Sequence, residues 1–332
     1  MKQTLENKTK EIVALISNYD FNNLSILSGN TGSLFLLSYY AEFTKDEKYL
    51  EKVEEIILQT YNKIQNGEYY ISFTYSNGIT GFLWAINNLN ESGYIDIDLK
   101  EYFGDVIPLI YEFIFEKIEE GDFDFLHGAL GPAGFLLDTI DIFPNNIEVI
   151  KVFNKLLLEK GVYNESSETL YFTSKVIKND NEYEKVINLS LSHGMAAIIH
   201  YLTRCLTIPE IKSNELVVAL NQIIKFYKVH QNPTEYNKSY FPSWVALHDH
   251  KASNSRMAWC YGDLGIGLTL YKAGEVLNDL SLKNYAYDVL KHSTYRKVPF
   301  EENIVEGNFC HGSSGLVETY RSIYQITMMK CF

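Results

Sequence analysis

Apolar segments with helical spacing recur along the chain, and stretches with one apolar and one charged face lie between them. The apolar segments are 34–41, 82–86, 135–137, 198–202, 266–271 and 316–320. The amphipathic stretches are 4–16, 46–63, 99–119, 147–158, 211–229 and 280–292. Apolar residues that recur every three to four positions indicate helices rather than strands. The pattern therefore predicts two alternating classes of helix.

A pair of glycines, or a glycine followed by a small residue, precedes each apolar segment. The pairs begin at Gly29, Gly78, Gly128, Gly194, Gly262 and Gly312. Successive pairs are thus separated by 49 (78 − 29), 50, 66, 68 and 50 residues. A fixed period of this size is typical of repeated helical hairpins. Because glycine lacks a Cβ, each pair allows a tight entry into a helix and a close approach of neighbouring backbone.

We therefore predict an all-α fold, an α/α toroid of six helical hairpins with inner and outer helix rings, as a single domain over residues 1–332. The fourth and fifth units are longer than the others and are expected to carry a short β-hairpin or loop insertions. Residues 170–177 alternate in polarity and precede Asn179-Asp180-Asn181, which predicts a hairpin. Residues 231–257 contain two prolines and are expected to form an irregular loop.

The composition limits the classes of function. Of 332 residues, 46% are hydrophobic and 21% are charged, which is typical of a globular protein. A net charge of −13 argues against a nucleic-acid partner, because such binding depends on a basic surface. The charged N-terminus does not resemble a signal peptide, and the longest apolar run, near 107–115, is shorter than the roughly 20 residues that span a bilayer. We expect a cytoplasmic protein without membrane insertion.

Two of the four cysteines lie directly before glycine motifs. Cys260 precedes Tyr261-Gly262, and Cys310 precedes His311-Gly312 fifty residues later (310 − 260). Two thiolates and one imidazole are ligands that Zn²⁺ prefers, and three protein ligands leave the fourth tetrahedral position open, as in catalytic sites. The sequence therefore predicts a Zn²⁺ site formed by Cys260, Cys310 and His311.

The other cysteines and a histidine-rich segment have simpler interpretations. Cys205 lies in an apolar segment and is predicted to be a core residue. Cys331 is next to the last residue and is predicted to be a tail thiol. The segment His248-Asp249-His250 is expected to face solvent in the long loop rather than to bind metal.

Three motifs, in their order and spacing, resemble the signature of the lanthionine synthetase C-like cyclases. They are Leu189-x-Leu191-x-His193-Gly194, Arg256-x-Ala258-Trp259-Cys260-Tyr261-Gly262 and Cys310-His311-Gly312-x-x-Gly315. The resemblance extends across all six units. It implies an enzyme that closes lanthionine or methyllanthionine thioether rings, with a cysteine of the substrate in the open position of the zinc.

The resemblance also implies roles for four further residues. His193 matches the family's proton-transfer position, which suits an imidazole near neutral pH. Asp124 matches the acidic position that orients or charge-balances that histidine. Arg256 is expected to stabilise the developing oxyanion or the aspartate, and Tyr261 to hydrogen-bond near the metal.

Each of these residues also has a structural interpretation that the sequence leaves open. His193 could be a loop histidine with satisfied hydrogen bonds, and Asp124 could cap the helix that follows the third glycine pair. Arg256 could be a structural ion-pair partner, and Tyr261 could serve packing alone. The Cys-Cys-His set could hold a purely structural metal.

Three functions remain distinguishable in principle. The preferred one is a compact, stand-alone zinc-dependent lanthipeptide cyclase. The others are an enzyme that adds glutathione to dehydrated residues and a non-catalytic, zinc-stabilised peptide-binding scaffold. The expected partners are a dehydrated precursor peptide and, in a modification complex, a separate dehydratase and a transporter. Toroidal carbohydrate-active enzymes rely on paired carboxylates, and nothing in the sequence takes that role in place of the cysteines and histidine.

Overall fold

The computed structural model describes residues 2–19, 21–69, 71–179, 182–247 and 252–327. The chain forms two compact units. The first comprises Met1–Ile114 and Leu126–Asn146, and the second comprises Phe115–Phe125 and Ile147–Phe332. The single domain expected over residues 1–332 stays a prediction. Six residues that the sequence predictions include lie outside the described ranges: Asp180, Asn181, His248, Asp249, His250 and Cys331.

The first unit is built from helices joined by loops. They are α1 (Lys2–Ser17), α2 (Asn30–Thr44), α3 (Lys48–Gln65), α4 (Ile79–Glu91), α5 (Leu99–Phe103), the start of α6 (Ile107–Glu120) and α7 (Leu130–Asp138). Helix α2 packs against α1, α3 and α4, while α4 also packs against α5 and α7.

The second unit combines helices with a small amount of sheet. Its helices are α8 (Asn146–Glu159), α9 (Met195–Cys205), α10 (Asn214–Val229), α11 (Asp263–Val276), α12 (Leu280–Ser293) and α13 (Ser313–Thr327). Helix α11 packs against α9 and α12, and α9 also packs against α10.

The two predicted classes of helix are present in the structure. Nine of the 13 residues of α4 are buried, as are nine of the 11 residues of α9, so these helices are enclosed on most sides. Helix α3 instead buries five of its 18 residues along one stripe. Cys205, at the end of α9, is fully buried, as predicted. Within the described residues, none of the helices has the length and apolar character needed to cross a membrane.

The predicted hairpin is present, because the strands that precede and follow residues 180–181 pair in antiparallel fashion, but its first strand begins later than residue 170. Residues 170–177 do not form one strand, because the chain turns between β2 (Thr169–Tyr171) and β3 (Ser174–Asn179). Strand β2 pairs with β1 (Val162–Asn164), whereas β3 pairs with β4 (Glu182–Asn188). The side chain of Phe172 is buried at this turn and packs edge-to-face on Phe123, 5.3 Å between ring centres. This burial anchors the break between the two hairpins.

The predicted irregular loop contains one short strand. Strand β5 (Trp244–Ala246) pairs with β4, which gives a three-stranded antiparallel sheet in the order β3-β4-β5. The loop signals were correct for the rest of the described segment, because prolines interrupt backbone pairing. The two insertions of the second unit are thus joined through one sheet.

The glycine motifs close short loops in front of the buried helices. At Gly262 the backbone adopts a φ of 91°, and an added Cβ would lie 2.1 Å from the carbonyl oxygen of Arg256. At Gly315 an added Cβ would lie 1.7 Å from the carbonyl oxygen of Phe309. In both cases the glycine contacts the residue six positions earlier. The loop returns so closely to its own start that a side chain would separate its ends.

We expect Gly262→Ala to destabilise the protein by about 2 kcal/mol or more, because the substitution adds both a clash and an unfavourable φ. Urea unfolding measures the change in the free energy of unfolding. Gly307→Ala is the matched control, since nothing lies within 4 Å of an added Cβ at that position. Equal stability of the two variants would contradict the close approach at Gly262.

Candidate metal centre and active site

The loops before α9, α11 and α13 are held together by backbone hydrogen bonds that meet at Cys260. The amide of Cys260 donates to the carbonyl oxygen of Cys310 at 3.4 Å. The carbonyl oxygen of Cys260 accepts from the amides of Leu191 and Ser192, both at 3.2 Å, and from the Ser192 hydroxyl at 3.2 Å. The segment that carries Asp124 is attached to these loops as well, because the amide of Phe125 donates to the carbonyl oxygen of Ser192 at 3.1 Å.

This arrangement brings together the three predicted metal ligands. The ligand atoms of Cys260, Cys310 and His311 all lie within 4.8 Å of one another. Cys260 is buried, whereas Cys310 and His311 are partly exposed, so one side of the cluster is accessible. Both cysteines are free thiols rather than disulfide partners.

The two thiols share a proton unequally. A hydrogen bond from the Cys260 thiol lowers the pKa of Cys310 to about 5, with partial burial opposing the shift and His311 and His193 adding to it. The same hydrogen bond and burial raise the pKa of Cys260, while Arg256 acts in the opposite direction. At neutral pH the cluster therefore holds one thiolate and one thiol.

This donor set fits a divalent ion of zinc's character. Thiolate and imidazole bind Zn²⁺ at about 2.3 and 2.0 Å, which separates tetrahedral ligands by roughly 3.5–3.8 Å. The observed cluster needs a contraction of about 1 Å or less to reach that spacing. Magnesium and calcium prefer oxygen ligands, so the sulfur-rich set disfavours them.

Beside this cluster, Asp124 and His193 form a hydrogen-bonded pair. The Nδ1 of His193 lies 2.6 Å from Oδ2 of Asp124, and their side chains are 30% and 21% exposed. The backbone of His193 is held as well, because its amide donates to the Ser190 hydroxyl at 3.1 Å and its carbonyl oxygen accepts from the Ser174 hydroxyl at 3.5 Å. The imidazole is therefore oriented by a carboxylate and fixed at its backbone.

Tyr261 lies between the two groups. Its ring centre is 5.7 Å from that of His193, and its hydroxyl accepts a hydrogen bond from Nδ2 of Asn188 at 3.1 Å. Burial raises the pKa of Tyr261, with smaller opposing effects from hydrogen bonds to Asn188 and Ser190. The phenol consequently stays protonated and remains a hydrogen-bond donor at neutral pH.

Arg256 is placed beside the cysteines. Its Nη2 donates to the carbonyl oxygen of Asn303 at 3.3 Å, which links the loops that carry Cys260 and Cys310. Its positive charge favours the thiolate of Cys260. Arg256 is not among the described residues that line the cavity next to His193.

Buried charged residues hold the loop that carries Cys260. Arg296 pairs with Glu302 and donates from Nη2 to the carbonyl oxygen of Ser255 at 2.7 Å. Asp263, the first residue of α11, accepts from the amides of Tyr240 and Phe241 at 2.9 and 3.0 Å. Burial raises the pKa of Asp263 to about 6, although those two hydrogen bonds and Arg296 oppose the shift. The cysteine loop and the β5 segment are therefore anchored at adjacent points.

A cavity of about 940 Å³ opens next to His193. Asp124, His193, Tyr261 and Asn188 line one side of it. Residues 173–176 of the turn and strand β3, together with Lys185 of β4, line another side. The volume is large enough for several residues of a peptide, since ligand pockets of about 300–1,000 Å³ hold drug-sized molecules.

Comparison with known proteins identifies the family of the chain. The family described as Lanthionine synthetase C-like protein matches residues 20–330. The chain belongs to this family. The family resemblance predicted from the three motifs is thereby confirmed, and so is the predicted enzyme class, a lanthionine-forming cyclase.

Two individual relatives agree with the family assignment. The LanC-like chain is 26% identical over 322 residues to the Nisin biosynthesis protein NisC of Lactococcus lactis subsp. lactis, an alignment covering 91% of this chain and 74% of that protein. A solved structure of a nisin cyclase superposes with a TM-score of 0.77 at 22% identity, covering 99% of this chain and 84% of the other. This likeness confirms the predicted all-α, α/α-toroid fold class.

Sequence reasoning missed three polar residues of this LanC-like site: Asn188, Ser190 and Ser192. A signal for Ser192 was present, because it stands two positions before a motif glycine, as do Cys260 and Cys310. Asn188 stands six positions before Gly194, at the point where the loop returns to the glycine, with its carbonyl oxygen 2.3 Å from an added Cβ. Aligning the loops on their glycines would have identified both positions.

In metal-free protein we expect Cys310 to be alkylated much faster than Cys260 at pH 7. Its rate should fall as the pH decreases through about 5, because protonation of the Cys310 thiolate removes the nucleophile. Iodoacetamide labelling followed by peptide mass mapping measures both thiols.

The variant Cys260→Ala tests the cause of this reactivity. Loss of the donated hydrogen bond should raise the pKa of Cys310 and slow its alkylation at pH 6 by about tenfold or more. Cys205→Ser is the control, since Cys205 is buried and its pKa is raised to about 11 by burial. An unchanged pH profile in Cys260→Ala would show that the two thiols are independent.

Proposed function

We propose that the chain is a zinc-dependent lanthipeptide cyclase that adds a peptide cysteine thiol to a dehydroalanine or dehydrobutyrine of the same peptide. One observation carries the proposal. The Cys260–Cys310–His311 cluster and the Asp124–His193 pair adjoin each other, and a cavity of peptide size lies beside His193. The first group suits activation of a thiol, and the second suits proton transfer.

Cys260, Cys310 and His311 would hold the zinc ion. Bound there, the ion would supply the positive charge that keeps a substrate thiol deprotonated at neutral pH. The protein contributes a fixed geometry, because the amide and the carbonyl of Cys260 are both hydrogen-bonded. The partial exposure of Cys310 and His311 leaves room for a substrate thiol on that side.

His193 would transfer the proton that ring closure requires. In the reaction a C–S bond forms at the β-carbon, the carbon–carbon double bond opens, and its electron pair passes to the α-carbon and the adjoining carbonyl as an enolate. His193 Nε2 would deliver a proton to the α-carbon, while Asp124 holds Nδ1 and stabilises the imidazolium. The proton lost from the thiol balances the one gained by the α-carbon, so the peptide's mass does not change.

Tyr261 and Arg256 would play different parts. The protonated phenol of Tyr261 lies beside His193. In that position its hydroxyl would donate a hydrogen bond to the enolate oxygen. Arg256 favours the thiolate form at Cys260 and bridges to Asn303, so its proposed role is to stabilise the metal loops rather than the oxyanion.

The proposed substrate is a dehydrated precursor peptide. The name of the relative NisC places that protein in nisin biosynthesis, and a peptide with Ser- and Thr-derived double bonds is the corresponding class of substrate for this chain. A separate dehydratase and a transporter remain predicted partners of the modification complex.

We expect purified protein reconstituted with zinc to retain about one ion per chain after desalting, measured by elemental mass spectrometry. Cys260→Ala and Cys310→Ala should each lose most of the metal, because two remaining ligands bind zinc weakly. Cys205→Ser should retain it, since Cys205 lies apart in the core. Wild-type protein that keeps no zinc would rule out the proposed centre.

Ring closure should be detected as loss of alkylatable thiol from a dehydrated peptide without a change in its mass. His193→Ala should slow this loss by about 10²- to 10⁴-fold, the usual contribution of a general acid–base residue. Asp124→Asn should slow it less, by about tenfold to a hundredfold, because the imidazole remains but is held less well. His292→Ala, in α12, is the control.

The same assay distinguishes the alternatives. Glutathione supplied with a cysteine-free dehydrated peptide would add its own mass if the chain were a glutathione-adding enzyme. A scaffold would bind the peptide with neither loss of thiol nor added mass. A wild-type rate in His193→Ala would overturn the proposed role of that histidine.

A further inference from the structure

The wall of the cavity near His193 includes part of a strand that lies at the end of a β-sheet. Among the described strands, β3 lies at one end of the β3-β4-β5 sheet and pairs only with β4. Residues 173–176, which are the first three residues of β3 and the one before them, line the cavity. An edge strand presents unpaired backbone N–H and C=O groups, and these are a template for an added strand. An extended chain that enters the cavity therefore comes close to a strand able to accept a further strand.

The start of β3 adjoins the proton-transfer residue. The Ser174 hydroxyl donates to the carbonyl oxygen of His193 at 3.5 Å. A chain paired along β3 would consequently leave the strand next to His193 and the cysteine cluster. The start of β3 and the Asp124–His193 pair thus line the same cavity.

Two lysines place positive charge on this surface. Lys175 of β3 and Lys185 of β4 are directly opposite partners in the antiparallel register, and both line the cavity. Like charges in directly opposite positions destabilise a sheet. In the part of the chain that the structure describes, neither lysine has a carboxylate within ion-pair distance, whereas Lys160 in the same wall pairs with Glu119 at 2.6 Å. The pair is a local concentration of positive charge.

Each described acidic residue of the cavity has a hydrogen-bond or ion-pair partner within the protein. Asp124 is engaged by His193, and Glu120 pairs with Lys117 at 2.7 Å. Asp122 accepts a hydrogen bond from the amide of Asp124 at 3.2 Å, and burial raises its pKa. The whole chain carries a net charge of −13, so an anionic peptide would be repelled in general and attracted only at such a site.

We propose that an extended, acidic stretch of the precursor peptide docks along β3 as an added strand, with its carboxylates paired to Lys175 and Lys185. The proposal deepens the cyclase function and rests on it for the nature of the peptide. The peptide runs antiparallel to β3, towards the start of the strand at Ser174, and the lysine pair sets its register. The residues that follow the acidic stretch then reach His193.

Fluorescence anisotropy with two labelled peptides tests the charge requirement. Both probes are ten-residue threonine-rich peptides without cysteine or dehydrated residues, one with alternating glutamates and the other with lysines in their place. The acidic probe should bind wild-type protein at least tenfold more tightly than the basic one at low salt, and the difference should shrink as salt is raised.

Charge reversal at the lysine pair should invert the preference. The double variant Lys175→Glu/Lys185→Glu is expected to bind the acidic probe about tenfold more weakly than wild type and the basic probe more tightly. Lys155→Glu/Lys297→Glu makes the same change in net charge at residues that do not line the cavity, and it should preserve the wild-type preference. Equal effects of the two double variants would overturn the proposed site.

N-methylated probes test the strand pairing. An antiparallel or parallel neighbour uses the N–H groups of alternate residues, so methylating one alternate set should weaken binding about tenfold while methylating the other set leaves it unchanged. If neither set matters, docking along β3 as an added strand is wrong. These binding measurements need no ring closure, so a failure of docking and a failure of the cyclase function are separately visible.

Discussion

The peptide group of Cys260 is the point on which the candidate active site depends. Its N–H donates to Cys310, and its carbonyl oxygen accepts from Leu191 and Ser192. A buried peptide group without partners would cost free energy, so these bonds both satisfy the backbone and fix three loops relative to one another. Two of those loops supply the thiols and the third supplies His193. The side chains meet because the backbones are joined first.

The glycine motifs make this joining feasible. The loops before α11 and α13 each return to their own start over six residues, and a glycine stands where the carbonyl oxygen approaches, at Gly262 and at Gly315. The residues two and one before the first glycine of a motif are then carried on a rigid turn at the entrance of a buried helix. Ser192 with His193, Cys260 with Tyr261 and Cys310 with His311 occupy these equivalent positions. The repeat therefore places chemically different side chains at matching points.

The spacing of apolar residues was sufficient to predict the helices. A helix that is buried along one side, or on most sides, has apolar residues at the buried positions, and this pattern is visible in the sequence. The pattern was also sufficient to predict that Cys260, Cys310 and His311 meet, once the loops were recognised as equivalents. The neighbours of Arg256 and the break between β2 and β3 were not predictable in this way. They depend on contacts between distant segments, with Asn303 in one case and Phe123 in the other. Side-chain polarity along one segment carries no record of such partners.

The position of β3 and β4 along the chain has a consequence for how such enzymes diversify. Both strands lie between α8 and α9, whereas Cys260 and Cys310 lie beyond α10, and the two regions meet in the pairing of β4 with β5 and in the hydrogen bonds of Leu191 and Ser192 to Cys260. Insertions, deletions or charge changes in the hairpin therefore leave the covalent frame of the cysteine loops intact. On the proposed docking, natural selection can exchange this wall for one suited to another precursor while Cys260, Cys310 and His311 are inherited unchanged.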